Sequence, residues 1–172
     1  MNPKFKTIHY SLLTIYVFFF LAGCGYTTTL APFPHIRSIT VSPIKNATLK
    51  PGINQALQQA LSEKFASGLR FRDGKGEGID AILDGTITGY SSEGMAFDKA
   101  DIARRFRLRI TLRLSLFEKG GKALIKDEEL HGEAFYTGSG DLVSLKAAED
   151  DAMNRALANL SDAIYYRIME GF

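Results

Sequence analysis

The chain has 172 residues, 45% of them hydrophobic, one cysteine and a formal charge of +2. A lone cysteine excludes an internal disulfide, a cysteine-based zinc cluster and a second thiol for catalysis. Without Lys4 and Lys6 the 21 basic side chains fall to 19, against 19 acidic ones, none of which lies in the first 23 residues. The remainder is therefore neutral, which argues against a nucleic-acid binder and leaves room for local charge asymmetry.

Residues 1–23 carry Lys4 and Lys6, an apolar run from Ile8 to Phe20 and the small residues Ala22 and Gly23 before Cys24. These are the parts of a cleaved secretory signal. Leu21-Ala22-Gly23-Cys24 resembles a bacterial lipobox, which implies cleavage before Cys24 and acylation of its thiol and amine. A transmembrane helix is the competing reading; the run contains His9 and falls short of the ~20 apolar residues a span needs. One myristoyl chain holds a membrane only at roughly 10⁴ M⁻¹, so several chains are needed for lasting attachment.

Residues 24–35 include Thr27-Thr28-Thr29, Pro32 and Pro34 and read as an acylated tether. Residues 36–172 are enough for a single domain. Ile36, Ile39, Val41 and Ile44 predict a first strand, ended by Pro43 and Lys45-Asn46. Ile53, Leu57, Ala60, Leu61 and Phe65 recur at helical spacing, with Gly68 at the C-terminal cap. Alternation from Ile79 to Tyr90 predicts a second strand; no period holds from Ser91 to Ala103, which reads as a long loop carrying Met95 and Phe97.

The clearest pattern follows. Phe106, Leu108, Ile110, Leu112, Leu114 and Leu116 alternate with Arg105, Arg107, Arg109, Thr111, Arg113 and Ser115, which places six apolar side chains on one face of a strand and four arginines on the other. Gly120-Gly121 marks a hairpin turn, and a fourth strand from Ala123 to about Tyr136 carries Asp127, Glu128, Glu129 and Glu133. After Gly138 to Asp141, Ser144 caps a long helix whose stripe runs through Leu145, Ala148, Ala152, Ala156, Leu160, Ala163, Ile164 and Ile168. The order β-α-β-β-β-α predicts an α+β fold: a two-layer α/β sandwich with a four-stranded mixed sheet and two helices on one face. The other face is left to water or a partner.

Arg105, Arg107 and Arg109, with Arg104 and Lys99 nearby, have the forked or point-charge donors that grip phosphates and carboxylates. The alternative is neutralisation across the sheet. A hairpin symmetrical about Gly120 would set Arg113 opposite Asp127 and Arg107 opposite Glu133, leaving Arg105 and Arg109 without acidic partners. Gly76-Glu77-Gly78-Ile79-Asp80 reads as a turn, since it lacks the acidic repeat of a calcium loop and the third glycine of a nucleotide loop. Asn46-Ala47-Thr48 also reads as a turn. His35 and His131 stand far apart without partner motifs, so no metal or other cofactor is expected, and no nucleophile motif points to an enzyme.

Cys24-Gly25-Tyr26, the strand end Ile39-Thr40-Val41-Ser42-Pro43-Ile44 with Asn46 and Thr48, and the helix with Ile53, Leu57 and Leu61 resemble the LptE family of lipopolysaccharide-assembly lipoproteins. Leu83-Asp84-Gly85-Thr86-Ile87, the amphipathic strand from Arg105 and the closing helix to Glu170-Gly171-Phe172 follow in the same order. The resemblance implies a non-catalytic, outer-membrane, lipid-anchored subunit that plugs and helps assemble the β-barrel LptD and binds lipopolysaccharide. It also implies lipid contacts at basic residues matched here by Lys99 and Lys146. Gly25, rather than aspartate, after the acylated cysteine agrees with outer-membrane delivery. A second reading is a tethered activator of a periplasmic cell-wall synthase, since lipoproteins of that kind share a strand like Val41 to Ile44 followed by Asn46-Ala47-Thr48.

Overall fold

The computed structural model describes residues 33–67, 72–73, 78–97, 99, 102–138 and 141–170. The signal, Cys24 and most of the tether lie outside them, as do Gly76 and Glu77. In chain order the elements are β1 (Ser38–Val41), β2 (Lys45–Asn46), α1 (Ile53–Ser67), β3 (Arg72–Asp73), β4 (Ala81–Phe97), β5 (Ala103–Glu118), β6 (Ala123–Thr137) and α2 (Leu142–Glu170). The sheet order is β3-β1-β4-β5-β6, with β2 following β1 along the same edge of β4. β1, β2 and β3 pair in parallel, and the long β4-β5-β6 meander is antiparallel, so the sheet is mixed and open.

The expected first strand is interrupted, giving β1 and β2. Pro43 has no N–H to offer a neighbour, and helix α1 supplies the missing partners for this stretch. The Ile44 amide donates to Gln58 Oε1 at 3.0 Å, while Asn54 Nδ2 donates to the Ile44 carbonyl at 3.3 Å. The long loop expected from Ser91 to Ala103 is mostly strand: Ser91 pairs with Arg109 and Phe97 with Ala103. The register shifts between Ile87 and Gly89, so one extra residue flips the apolar and polar phase while the ladder continues. A period-two reading loses the strand at that point.

Both helices cover the face bearing Leu83, Ile87, Leu108, Ile110, Leu112, Leu114 and Leu116. With Leu57, Leu61 and Phe65 of α1 and Ala156, Leu160 and Ile164 of α2, these form one core. Contact is close at Gly132 of β6, where the Ala156 carbonyl and Leu160 of α2 fill the space a side chain would take. The 16 residues of β5 extend about 50 Å at strand rise. Its C-terminal end lies beside the start of the domain, where His35 Nε2 is 2.9 Å from Glu118. Its N-terminal end, with the β4–β5 turn and the start of α2, makes the opposite end of the sandwich.

Candidate functional site

The alternation of β5 works as read: Leu108 to Leu116 are buried, and Arg105, Arg107, Arg109 and Arg113 stand on the open face. Their partners differ from a symmetrical hairpin. Asp127 adopts φ +50°, a left-handed conformation that an Asp tolerates better than most residues, and its amide donates to Ser115 Oγ at 3.0 Å. The register shift around Leu114 and Leu116 carries Arg113 to Glu129 and Arg109 to Glu133. Arg109, expected to lack an acid, is thus paired with Glu133 through its Nε. Arg113 Nη2 is 3.5 Å from Glu129. Arg107 meets β4 instead of β6, with Nη2 donating to Glu93 at 2.9 Å. Exposed pairs of this kind contribute about 0.2–1 kcal/mol each. Their larger effect is to cancel the positive stripe.

Arg105 is the exception. Its guanidinium lies 4.9 Å from the ring centre of Phe135, and no carboxylate among the described residues lies within ion-pair distance.

The other sequence-selected cations gather at the far end of the sandwich. Lys99 is exposed on the β4–β5 turn. Arg104 is the second residue of β5, where its carbonyl accepts from the Gly138 amide at 3.1 Å and so ties the strand to the approach of α2. Lys146 stands in the opening turns of α2 and reaches Asp150 at 3.3 Å. The same end carries exposed apolar side chains that sequence reading only half anticipated: Phe97 is 57% exposed, Leu142 83% and Val143 80%, and Met95 and Ile102 are exposed as well. A cavity of about 290 Å³ opens here, lined by Ile102, Arg104, Phe106, Leu142 and Leu145 among others. Such concentrated exposed apolar surface marks an interaction site more often than chance.

Asp141, not Ser144, caps α2. The Val143 and Ser144 amides donate to Asp141 Oδ1 at 2.9 and 2.8 Å, and the Ser144 hydroxyl also donates to Oδ2 at 2.9 Å. These bonds, led by the Ser144 amide, hold the Asp141 carboxyl below its ordinary pKa.

A second cluster was not legible in the sequence. Lys50, after β2, lies 5.0 Å from the ring centre of Tyr90 on β4 and 3.0 Å from Glu149 on α2; the Tyr90 hydroxyl donates to the same Glu149 oxygen at 2.5 Å. Burial first, then the hydrogen bond to Glu149, pushes Tyr90 up to about 12. The Tyr90 hydroxyl and then Lys50 hold Glu149 below its usual range, against partial burial. Partial burial opposes the Lys50 ammonium, but its bonds to Glu149 and Tyr90 outweigh it and raise the pKa. The cluster clamps α2 to the sheet. It offers no nucleophile poised against a base.

Among the described residues no group of three or more His, Cys, Asp or Glu side chains could hold a metal ion. Among them, too, no helix is long and apolar enough to cross a membrane.

Comparison with solved structures places this fold among small bacterial proteins. Uncharacterized lipoprotein B from Nitrosomonas europaea aligns over 78% of this chain and 83% of its own, at 14% identity and a TM-score of 0.51. The rare lipoprotein B from Shewanella oneidensis aligns over 76% and 92%, at 6% identity and 0.53. A hypothetical protein from Chlamydia trachomatis aligns over 80% and 97%, at 13% identity and 0.54. At these identities the likeness is one of fold. No curated protein sequence matches the chain. The family model LptE, described as lipopolysaccharide-assembly, matches residues 36–168, from the first buried isoleucine to the last turns of α2. The chain belongs to the LptE lipopolysaccharide-assembly family.

Proposed function

We propose that this chain is a non-catalytic outer-membrane lipoprotein, anchored through Cys24, that occupies the lumen of the β-barrel LptD, helps it assemble and binds lipopolysaccharide. The observation that carries the reading is the end of the sandwich that Lys99, Arg104 and Lys146 share with exposed Met95, Phe97, Ile102, Leu142 and Val143. Lipopolysaccharide combines phosphates and acidic sugars with acyl chains, so a site for it needs fixed cations beside apolar surface. The tip has both. The open sheet face supports the other half of the reading: Arg107, Arg109 and Arg113 are neutralised in place, which makes a polar, charge-balanced surface suited to a barrel lumen.

The test is to recover an epitope-tagged protein from native membranes and identify what accompanies it. A detergent-stable complex with an outer-membrane barrel and lipopolysaccharide is expected. Recovery of a cell-wall synthase without the barrel would replace this reading with that of a tethered activator.

A further inference from the structure

β6 is an edge strand, and α2 covers its rim with side chains instead of a further strand. Asn159 Nδ2 donates to the Glu133 carbonyl at 2.8 Å, and Arg155 Nη2 donates to the Phe135 carbonyl at 2.9 Å. Capping the rim in this way blocks edge-to-edge pairing. Where the helix crosses, a notch of about 410 Å³ opens, with Arg105, Phe135 and Thr137 on the sheet side and Asp151 and Arg155 on the helix side.

Two guanidiniums flank this notch, and neither is used up. Arg105 is held over the Phe135 ring, and no carboxylate among the described residues claims it. Arg155 gives Nε to Asp151 at 3.0 Å and one Nη2 hydrogen to the Phe135 carbonyl. A guanidinium has five N–H donors, so three remain. Asp151 is the opposing charge, which leaves the notch with one net positive charge. The Phe135 ring, 43% exposed, adds an apolar wall. Sugars that carry an anion match this combination: a planar fork for phosphate or carboxylate and an aromatic side chain for the ring.

We propose that the notch between Arg105, Phe135 and Arg155 binds the anionic group of a phosphorylated or carboxylated sugar. The site is separate from the cationic tip, and it rests on the proposed function only in taking lipopolysaccharide as the natural source of such sugars.

The test is a titration of the isotope-labelled full-length protein in detergent with glucosamine 1-phosphate, glucuronate and inorganic phosphate, following the arginine Nε–H and the Phe135, Thr137, Lys99 and Lys146 amide resonances. Saturable shifts at Arg105 and Arg155 are expected with at least one of the sugars, and that sugar should bind more tightly than inorganic phosphate. The tighter of the two sugars identifies the anion. Arg105→Gln should weaken it about tenfold, as loss of one charge-assisted contact does. Arg155→Gln should weaken it similarly. Phe135→Leu should weaken the sugar and spare inorganic phosphate, and Lys122→Gln in the distant hairpin should change nothing. Amide spectra of each variant confirm folding. Absence of saturable shifts with every probe, shifts confined to Lys99 and Lys146, or undiminished binding in both arginine variants would overturn the proposal. Because these probes need no barrel, a failed barrel recovery with intact notch binding would count against the proposed function alone.

Discussion

Replacing Gly132 with alanine tests whether the two layers are seated as closely as described. A methyl group at this position meets the Ala156 carbonyl oxygen well inside van der Waals contact, Leu160 Cβ at 2.6 Å and Leu160 N at 3.0 Å. Two of these neighbours are helix backbone, so no rotamer change relieves them and α2 must retreat from β6. The backbone at Gly132 is ordinary strand, and loss of glycine's unfolded-state freedom would by itself stabilise the protein by about 0.4–1 kcal/mol. Overpacking of a filled core costs about 1–3 kcal/mol, and a rigid backbone obstacle belongs at the upper end. The clash wins by about 2 kcal/mol net. With a denaturant slope near 2 kcal/mol/M, the urea midpoint should fall by about 1 M. Adding Leu160→Ala should not restore it, since the Ala156 carbonyl stays in place. A Gly132→Ala midpoint equal to or above that of the parent would refute the reasoning.

Glu149 has a folded pKa below its unfolded value, so its stabilising effect is complete above about pH 4.5 and is lost as pH falls through the folded value. Acid unfolding should therefore be shallower in Glu149→Gln, with lower stability at neutral pH, as read by circular dichroism melts across pH 3 to 7 taken at about one-unit steps. Asp141→Ala should fray the first turn of α2 while the core holds, visible as faster hydrogen exchange at Val143 and Ser144 with little change deeper in the helix. Because Arg107 and Arg109 are already paired, the double change to serine should leave lipopolysaccharide retention within about twofold, in line with the small value of exposed pairs. Serine at Lys99, Arg104 and Lys146 together should reduce retention at least about tenfold at low salt, an effect that shrinks as salt screens the tip.

The reach of sequence reading here follows from local physics. The β5 pattern was plain because side-chain direction in a strand alternates without regard to distant residues, and Leu108 to Leu116 obey it without a break. One inserted residue near Gly89 was enough to hide the second half of β4, since a bulge reverses the phase on which the reading depends. The same kind of irregularity at Asp127 moved every partner of the arginine stripe and gave Arg109 a carboxylate that a symmetrical hairpin withholds. Cap chemistry was placed three residues late, because Asp and Ser are both good cap residues and only the structure shows Ser144 donating, through its amide and its hydroxyl, to the Asp141 carboxylate. Lys50, Tyr90 and Glu149 carry no common motif and come together only through the packing of α2, across 99 residues of chain between the lysine and the glutamate. For the tip, the basic residues were visible in the sequence. Their convergence with Leu142 and Val143 was not, since it depends on the hairpin reaching the start of α2.

The most direct measurement is photocrosslinking in native membranes from p-benzoylphenylalanine placed at Phe97, exposed at the apolar and cationic end. An ultraviolet-dependent adduct that reacts with antibody to lipopolysaccharide is predicted, weakened when Lys99 and Lys146 are also replaced. Adducts with protein alone, and none with lipopolysaccharide from Phe97 or from a second probe at Val143, would contradict the assignment of this end to the lipid.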